Sequence, residues 1–61
     1  MHTISIYQNK WASCENDLKQ YQLELNKDYF LSHDAVVLTI QFSDKDQAEH
    51  FHVKWHSYLA A

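Results

Sequence analysis

The feature that most constrains this fold is a hydrophobic strand that leads directly into an amphipathic helix, over residues 35–59. Residues 35–42 read Ala-Val-Val-Leu-Thr-Ile-Gln-Phe, with the length and the β-branched content of a buried strand. Ser43 follows, and the carboxylate of Asp46 comes three residues later, a spacing that predicts a capped helix start. We expect one side of this helix to pack on the strand and on Leu18, and it carries Ala48, Phe51, His52, Trp55, Tyr58 and Leu59.

A second strand and a second helix are predicted ahead of this stretch. Residues 3–7 alternate polar and apolar side chains, which predicts a strand from about residue 2 to residue 8. Either Asn9 or Ser13 is expected to be the N-cap of the helix that follows, and Asn26 the left-handed residue beyond its end. Residues 21–25 also alternate, so a strand is the alternative for the second half. The apolar stripe of this helix is spaced by three and four: Trp11, Cys14, Leu18, Tyr21 and Leu25.

Residues 28–32 complete the predicted order of elements. This segment holds three large apolar side chains in a row, and it is either a buried connection or a short strand. A turn at His33-Asp34 would join it to the next strand as a hairpin. The chain is then one small two-layer β-α-β-β-α domain over residues 1–61, of the α+β class, with a mixed sheet and both helices on one face. If the first strand lies parallel to residues 36–42, the helix between them makes a right-handed crossover.

The chain contains neither Gly nor Pro. Every reversal must therefore be made by Asn, Asp, Ser or His, which tolerate left-handed backbone or cap it locally. The same absence excludes a glycine-rich phosphate-binding loop and the dinucleotide-binding fingerprint.

A chain of 61 residues buries a small core, and domains of this size usually gain stability from disulfides, a metal or self-association. Cys14 is the only cysteine, so an internal disulfide is impossible. The hydrophobic fraction of 46% is too high for a disordered chain. Self-association is therefore expected, and a two-fold homodimer is the commonest form.

The charge pattern excludes several partners. The net charge is −3, and the five lysines are scattered with no arginine, so there is no basic stripe for a phosphate backbone. No apolar run approaches the roughly 20 residues that a membrane span needs, and no signal peptide is visible. The sequence thus predicts a cytoplasmic protein that binds neither nucleic acid nor membrane.

Histidines of the predicted C-terminal helix are the main candidates for chemistry. His52 and His56 are four residues apart, and Glu49 lies on the same strip, so the three could contact one metal ion. Isolated histidine pairs on solvated helices are common, and neither an HExxH motif nor a cysteine cluster accompanies this one. We predict no metal site, and we keep a metal- or pH-responsive module as the alternative function.

The remaining reactive side chains have structural explanations. Cys14 lies on the apolar stripe of the first helix, where a thiol behaves as a small hydrophobic group. The carboxylates of Glu15, Asp17, Asp44 and Asp46 lie at the predicted helix starts, where they complement the helix dipole. We therefore predict no catalytic residue, no cofactor and no enzymatic activity.

The function expected from the sequence is binding to another protein. A three-stranded sheet covered on one face leaves its other face bare, and apolar side chains on such a face usually mark a protein contact. We predict a non-enzymatic protein-binding module, a small regulator or inhibitor of the kind that phages and mobile elements encode. It would occlude a partner's surface and would be a homodimer. The side chains expected to contact a partner are Tyr7, Tyr29, Phe30, Val37 and Val53.

Overall fold

The computed structural model of the protein describes residues 2–60. Three strands and two helices follow one another along the chain: β1 (Thr3–Tyr7), α1 (Trp11–Gln20), β2 (Tyr29–His33), β3 (Val37–Phe42) and α2 (Lys45–Lys54). A 3₁₀ turn leads into α1, and another follows α2. The predicted β-α-β-β-α order and the α+β class are confirmed. None of the helices within residues 2–60 has the length and hydrophobicity that a membrane crossing requires.

The sheet is antiparallel throughout, so the prediction of a mixed sheet is wrong. Its strand order is β1-β3-β2, and β3 pairs in the antiparallel direction with both neighbours. The connection through α1 joins β1 to β2, which run in the same direction without touching, and not β1 to β3 as the crossover prediction assumed. β3 is the longest strand and has the most apolar residues, and in the central position both of its edges are paired.

The pairing register places the large apolar side chains on one face of the sheet. Ile40 of β3 lies between Ile4 of β1 and Leu31 of β2. Both helices cover this face, as predicted, and their apolar side chains complete the core. The buried core residues are Ile4, Ile6, Cys14, Leu18, Tyr29, Leu38, Ile40, Phe42, Ala48, Phe51 and Trp55.

Trp55 lies at the centre of that core, at the end of α2. Its side chain is fully buried, and its ring centroid lies 4.6 Å from that of Phe51 and 6.3 Å from that of Phe42. The indole Nε1–H donates a 2.8 Å hydrogen bond to Oδ2 of Asp17 on α1. The predicted burial of Trp55 is confirmed, and its one polar atom is satisfied by the other helix.

The two ends of α1 differ from the prediction. The chain enters the helix through the 3₁₀ turn Gln8–Lys10, and neither of the predicted N-caps, Asn9 and Ser13, caps it. At the other end the left-handed residue that follows the helix is Gln22, with φ of 60°, whereas Asn26 is left-handed as predicted but lies in the next turn.

A Schellman motif ends α1 at Gln20. The Leu23 N–H donates to the Leu18 carbonyl at 3.1 Å, and the Gln22 N–H donates to the Lys19 carbonyl at 3.0 Å. Leu23 packs against the core beside Leu18, which is the hydrophobic contact that accompanies this motif. Residues 21–25 are therefore neither the helix that we favoured nor the alternative strand.

Because the chain has no Gly, hydrogen bonds to side chains and left-handed non-Gly residues form its turns. In residues 24–28, Asn26 adopts φ of 67°, and Oδ2 of Asp28 accepts a 2.8 Å bond from the Glu24 N–H. The hairpin turn between β2 and β3 covers residues 34–36, one residue later than predicted, because His33 still pairs with Leu38. There Oδ1 of Asp34 accepts from the Ala35 N–H at 2.9 Å.

α2 begins and ends at other residues than predicted. Asp44 is its N-cap and accepts from the Asp46 N–H at 3.3 Å, whereas the Ser43 hydroxyl donates to the Lys27 carbonyl. The helix ends at Lys54, before the predicted residue 59. The chain then turns back to the free edge of β1, where Leu59 pairs with Ile6 and the Ala60 N–H donates to the Ser5 carbonyl at 2.9 Å.

Candidate functional site

The face of the sheet opposite the helices is left uncovered by the fold. Cross-strand pairing arranges its side chains in three rows. Tyr7 lies opposite Val37 in the first row. Ser5, Thr39 and Ser32 form the second row, and Thr3, Gln41 and Phe30 form the third. We call this surface, formed by the side chains of the three rows, the open face.

Apolar groups occupy two opposite corners of the open face. The ring of Tyr7 is at the β1 edge and is 44% exposed, and that of Phe30 is at the β2 edge and is 42% exposed. Val37, beside Tyr7, is half-buried. The hydroxyl row runs between the two corners, with Oγ of Ser5 and Oγ1 of Thr39 3.4 Å apart. The open face is therefore two apolar corners with a polar strip between them, and the sequence had suggested a more uniformly apolar surface.

Tyr29, one of the predicted partner contacts, lies on the opposite side of the sheet. It pairs with Phe42 on the helix-covered face, and only 5% of it is exposed. Burial, with a smaller contribution from the charge of Glu15, raises the pKa of the Tyr29 phenol above its ordinary value. Neighbouring residues of a strand point to opposite faces, so the structure assigns Tyr29 to the core and Phe30 to the open face.

A further exposed apolar residue was missed by the sequence reasoning. Val36 is 65% exposed, because β3 begins only at Val37 and residue 36 belongs to the hairpin turn. With Tyr7 and Ala35 it lines a small cleft of about 300 Å³ beside the open face. The Gln8 side chain holds this corner through a 2.9 Å hydrogen bond to the Asp34 carbonyl. The turn-forming Asp34 was the available signal that the strand would start late.

Val53, the fifth predicted contact, lies on a separate surface. It is 75% exposed on α2, away from the open face. It borders an open groove of about 530 Å³ between α2 and the start of β1. Glu49 and His52 also line this groove, and so do His2, Thr3, Ile4, Lys45 and Ala48.

The three metal candidates are not brought together. His52 is exposed on α2 and not on the core-facing stripe where we had placed it. His56 belongs to the 3₁₀ turn His56–Tyr58, so the helical spacing that would align it with His52 is interrupted at Trp55. Across the described part of the chain, residues 2–60, no three His, Cys, Asp or Glu side chains lie close enough to hold a metal ion.

His50 is the histidine with a defined side-chain contact. Its Nε2 lies 2.9 Å from the hydroxyl of Tyr21, just beyond α1. The same tyrosine ring lies 5.1 Å from the ring of Phe51 and 5.5 Å below the ammonium group of Lys54. These contacts join the two helices and account for His50 as part of the packing between them.

Cys14 is fully buried on α1. Burial, and secondarily the charge of Asp17, raise the pKa of its thiol from 9.0 to about 12. The thiolate is the reactive form of cysteine, so this thiol is inert near neutral pH. Its predicted role as a core residue is confirmed.

Comparison with known proteins finds no relative of this chain. No protein-family model matches it, no curated protein is similar in sequence and no solved structure matches the fold.

Proposed function

We propose that this protein is a cytoplasmic, non-enzymatic protein-binding module, a small regulator or inhibitor that occludes a surface of its partner. It acts as a homodimer. The observation that carries the proposal is the open face, where the fold exposes two aromatic rings on paired strands.

The aromatic rings supply the contact chemistry. Tyr and Phe give large apolar area with few rotatable bonds, so ordering them on binding costs little entropy. Tyr7 and Phe30 are each more than 40% exposed, although a domain of this size has few large apolar side chains to spare from its core. Their exposure favours a contact role over a role in folding.

The strip between the rings supplies specificity. The hydroxyls of Ser5, Thr39 and Ser32 can donate and accept hydrogen bonds, and the paired strands hold them in a row across the open face. A partner that meets this face would bury apolar groups at both corners and would have to match the hydroxyls between them. Such a pattern, with apolar anchors and satisfied polar groups, is typical of protein interfaces.

The buried thiol supports a non-enzymatic role. Cys14 is the only cysteine of the chain, and the structure packs it among core residues with a raised pKa. Its position fits core packing, and the open face presents hydroxyl, amide and aromatic groups suited to contact.

Site-specific photo-crosslinking in cells of the organism that encodes the chain tests this proposal. A benzophenone side chain would replace Phe30 in one variant and Tyr7 in a second. A third variant would carry it at Asn16, an exposed position on α1 remote from the open face. We expect both open-face variants to form the same discrete adduct with another protein, and the Asn16 variant to form none.

Two results would count against the proposal. One is the same adducts from all three positions, which would mean unspecific contact. The other is an adduct from Asn16 alone, which would move the binding surface to the helices. A matched Phe30→Thr variant should lose the adduct formed from position 7, because Thr keeps the strand propensity and removes the aromatic anchor.

A further inference from the structure

We propose that two copies of this chain associate through the outer edge of β2, so that their sheets join into one antiparallel six-stranded sheet. The inference deepens the binding role proposed above, since it names the second copy as one partner and β2 as its contact. The open faces stay uncovered and remain available to another protein.

The two outer edges of the sheet differ in how much of each is covered by other residues of the chain. The outer edge of β1 is covered over part of its length by the C-terminal residues, through the Ile6–Leu59 bridge and the hydrogen bond from the Ala60 N–H to the Ser5 carbonyl.

The outer edge of β2 is covered at its first residue, where Leu25 forms a bridge with Tyr29 and the Asn26 N–H donates to the Tyr29 carbonyl at 2.7 Å, and it receives no such cover along its second half. Within residues 2–60, the hydrogen bonds found outside the ladder with β3 include none to the backbone of Leu31 or His33.

The ladder shows which backbone groups of β2 point outwards. The Ser43 N–H donates to the Asp28 carbonyl and the Asp34 N–H to the Val37 carbonyl, so even-numbered residues of this segment bond to β3. In an antiparallel ladder the intervening residues direct their N–H and C=O to the other side. Leu31 and His33 therefore present donors and acceptors to whatever lies beside the sheet, and only an extended backbone matches them.

The side chains of β2 do nothing to prevent such pairing. Exposed edge strands are usually protected by Lys, Pro, a bulge or an inward-pointing charge. β2 reads Tyr-Phe-Leu-Ser-His, without Lys, Pro, Asp or Glu, and it pairs with β3 in an unbroken register. An edge of this composition is typical of a strand that is paired in the working protein.

A second copy fits this edge because the uncovered part of β2 is self-complementary about Ser32. A two-fold axis normal to the sheet at Ser32 would place Leu31 opposite the partner's His33 and His33 opposite the partner's Leu31, with two hydrogen bonds exchanged in each pair. The half-exposed Leu31 side chains of the two copies would then lie diagonal to each other on the helix-covered face. Such an axis keeps the two open faces on the same side of the joined sheet.

This pairing also extends the hydroxyl row of the open face. Ser32 would lie opposite the partner's Ser32, so the rows of Ser5, Thr39 and Ser32 from the two copies would form one continuous strip. The open face would be doubled, with one Phe30 ring on each half. The outermost strands would be the two copies of β1, whose edges are partly covered, so the assembly closes at two chains.

Chemical synthesis of this 61-residue chain allows a test that leaves every side chain unchanged. N-methylation of Leu31 removes its outward N–H and adds a methyl group where the partner strand would lie. N-methylation of Thr3 is the matched control, because the same alternation directs the Thr3 N–H outwards on the β1 edge. Sedimentation equilibrium would follow each form from about 10 µM to about 1 mM, since so short an interface should dissociate in the micromolar range or above.

We expect the unmodified chain to approach twice its 7.3 kDa mass. N-methyl-Leu31 should associate at least about tenfold more weakly, and N-methyl-Thr3 should match the unmodified chain. A monomer throughout, or equal association of all three forms, would overturn the edge pairing. A monomer whose position 30 still crosslinks to another protein would leave the proposed function standing.

Amide exchange of the unmodified chain gives a second readout that does not depend on the folding of a variant. Pairing should slow exchange of the Leu31 and His33 N–H groups as the concentration rises, and the Ser32 N–H, already bonded to β3, should change less. Equal exchange of the Leu31 and His33 amides at both ends of the concentration range would contradict the proposal.

Discussion

The two faces of the sheet are made by the same three strands and differ in what their side chains do. On the helix-covered face every cross-strand neighbour of Ile40 and Leu38 is apolar or lies at the strand end, and the helices bury this face almost completely. On the open face, hydroxyls separate Tyr7 from Phe30. The packing that stabilises the fold is therefore on one side of the sheet, and the exposed rings of Tyr7 and Phe30 are on the other.

This difference shows how a domain without disulfides can keep two large rings exposed. The rings of Phe42, Phe51 and Trp55 pack together between the sheet and the helices. The rings of Phe42 and Phe51 are stacked, with their centroids 5.5 Å apart. That cluster supplies much of the apolar burial that a small domain needs. The open face can then be substituted at little cost to folding.

Removing Trp55 should have the largest effect. Trp55→Ala would leave a cavity beneath β3, and we expect it to lower the free energy of unfolding by about 3–5 kcal/mol, enough to unfold so small a domain. Phe30→Ala on the open face is the matched control and should cost well under half as much. Urea denaturation followed by circular dichroism measures both, and similar losses would contradict the division between the faces.

Removing the hydrogen bond between Trp55 and Asp17 should have the next largest effect on stability. Asp17→Ala leaves the buried Trp55 indole N–H without its acceptor, and we expect a loss of about 1–3 kcal/mol in unfolding free energy. Lys54→Ala removes the partly exposed ion pair with Asp17, whose atoms are 3.9 Å apart, and the contact of the ammonium group with the Tyr21 ring, and should cost about 1 kcal/mol or less. If thermal unfolding showed a larger loss of stability for Lys54→Ala than for Asp17→Ala, the hydrogen bond from Trp55 to Asp17 would not be the main polar contact between the helices.

The ionisation of Cys14 should affect stability only at alkaline pH and should have no effect near neutral pH. Because burial raises its pKa from 9.0 to about 12, the folded protein keeps this proton in a range where the unfolded chain loses it. Its contribution to stability is complete below about pH 9 and is lost as the pH rises towards 12. Cys14→Ala should therefore flatten the decline in unfolding free energy over this range, although Tyr29 acts in the same direction.

Thiol labelling supplies the check for Cys14. At pH 8 iodoacetamide should modify the folded protein far more slowly than the protein in urea, because the reactive thiolate is both buried and disfavoured. Equal labelling rates in the two conditions would show that Cys14 is accessible in the folded state.

The sequence predicted the order of elements and most of the core because both depend on local periodicity. The alternation in residues 3–7 and the three-and-four spacing correctly indicated the burial of Ile4, Ile6, Cys14 and Leu18. The burial of Trp55 followed from the same spacing.

The three-and-four spacing was wrong for Tyr21 and Leu25, which lie beyond the end of α1 and are 42% and 49% exposed. The alternation in residues 3–7 places Tyr7 on the face opposite Ile4 and Ile6. Residues 29–31 are three apolar residues in a row, so the pattern there could not show that Phe30 is exposed and Tyr29 is buried.

The features that the sequence could not predict depend on contacts between distant residues. Whether β1 pairs with β2 or β3 is decided by which strand gains most from pairing on both edges, and local patterns do not show this. The end of α1 at Gln20 depends on Leu23 reaching the core beside Leu18, and the end of α2 depends on Trp55 meeting Asp17. Because α2 ends there, His56 leaves the strip on which the metal hypothesis was based.

The double variant Tyr7→Thr/Phe30→Thr separates the roles of the two faces. Packing on the helix-covered face stabilises the fold, and we propose that the open face binds the partner. Threonine keeps the strand propensity of both positions and removes both rings. We predict that the unfolding free energy falls by less than about 2 kcal/mol, as expected for half-exposed side chains, while crosslinking from Val37 to the partner is abolished. An unfolded variant, or a folded one that still crosslinks to the partner, would contradict the account.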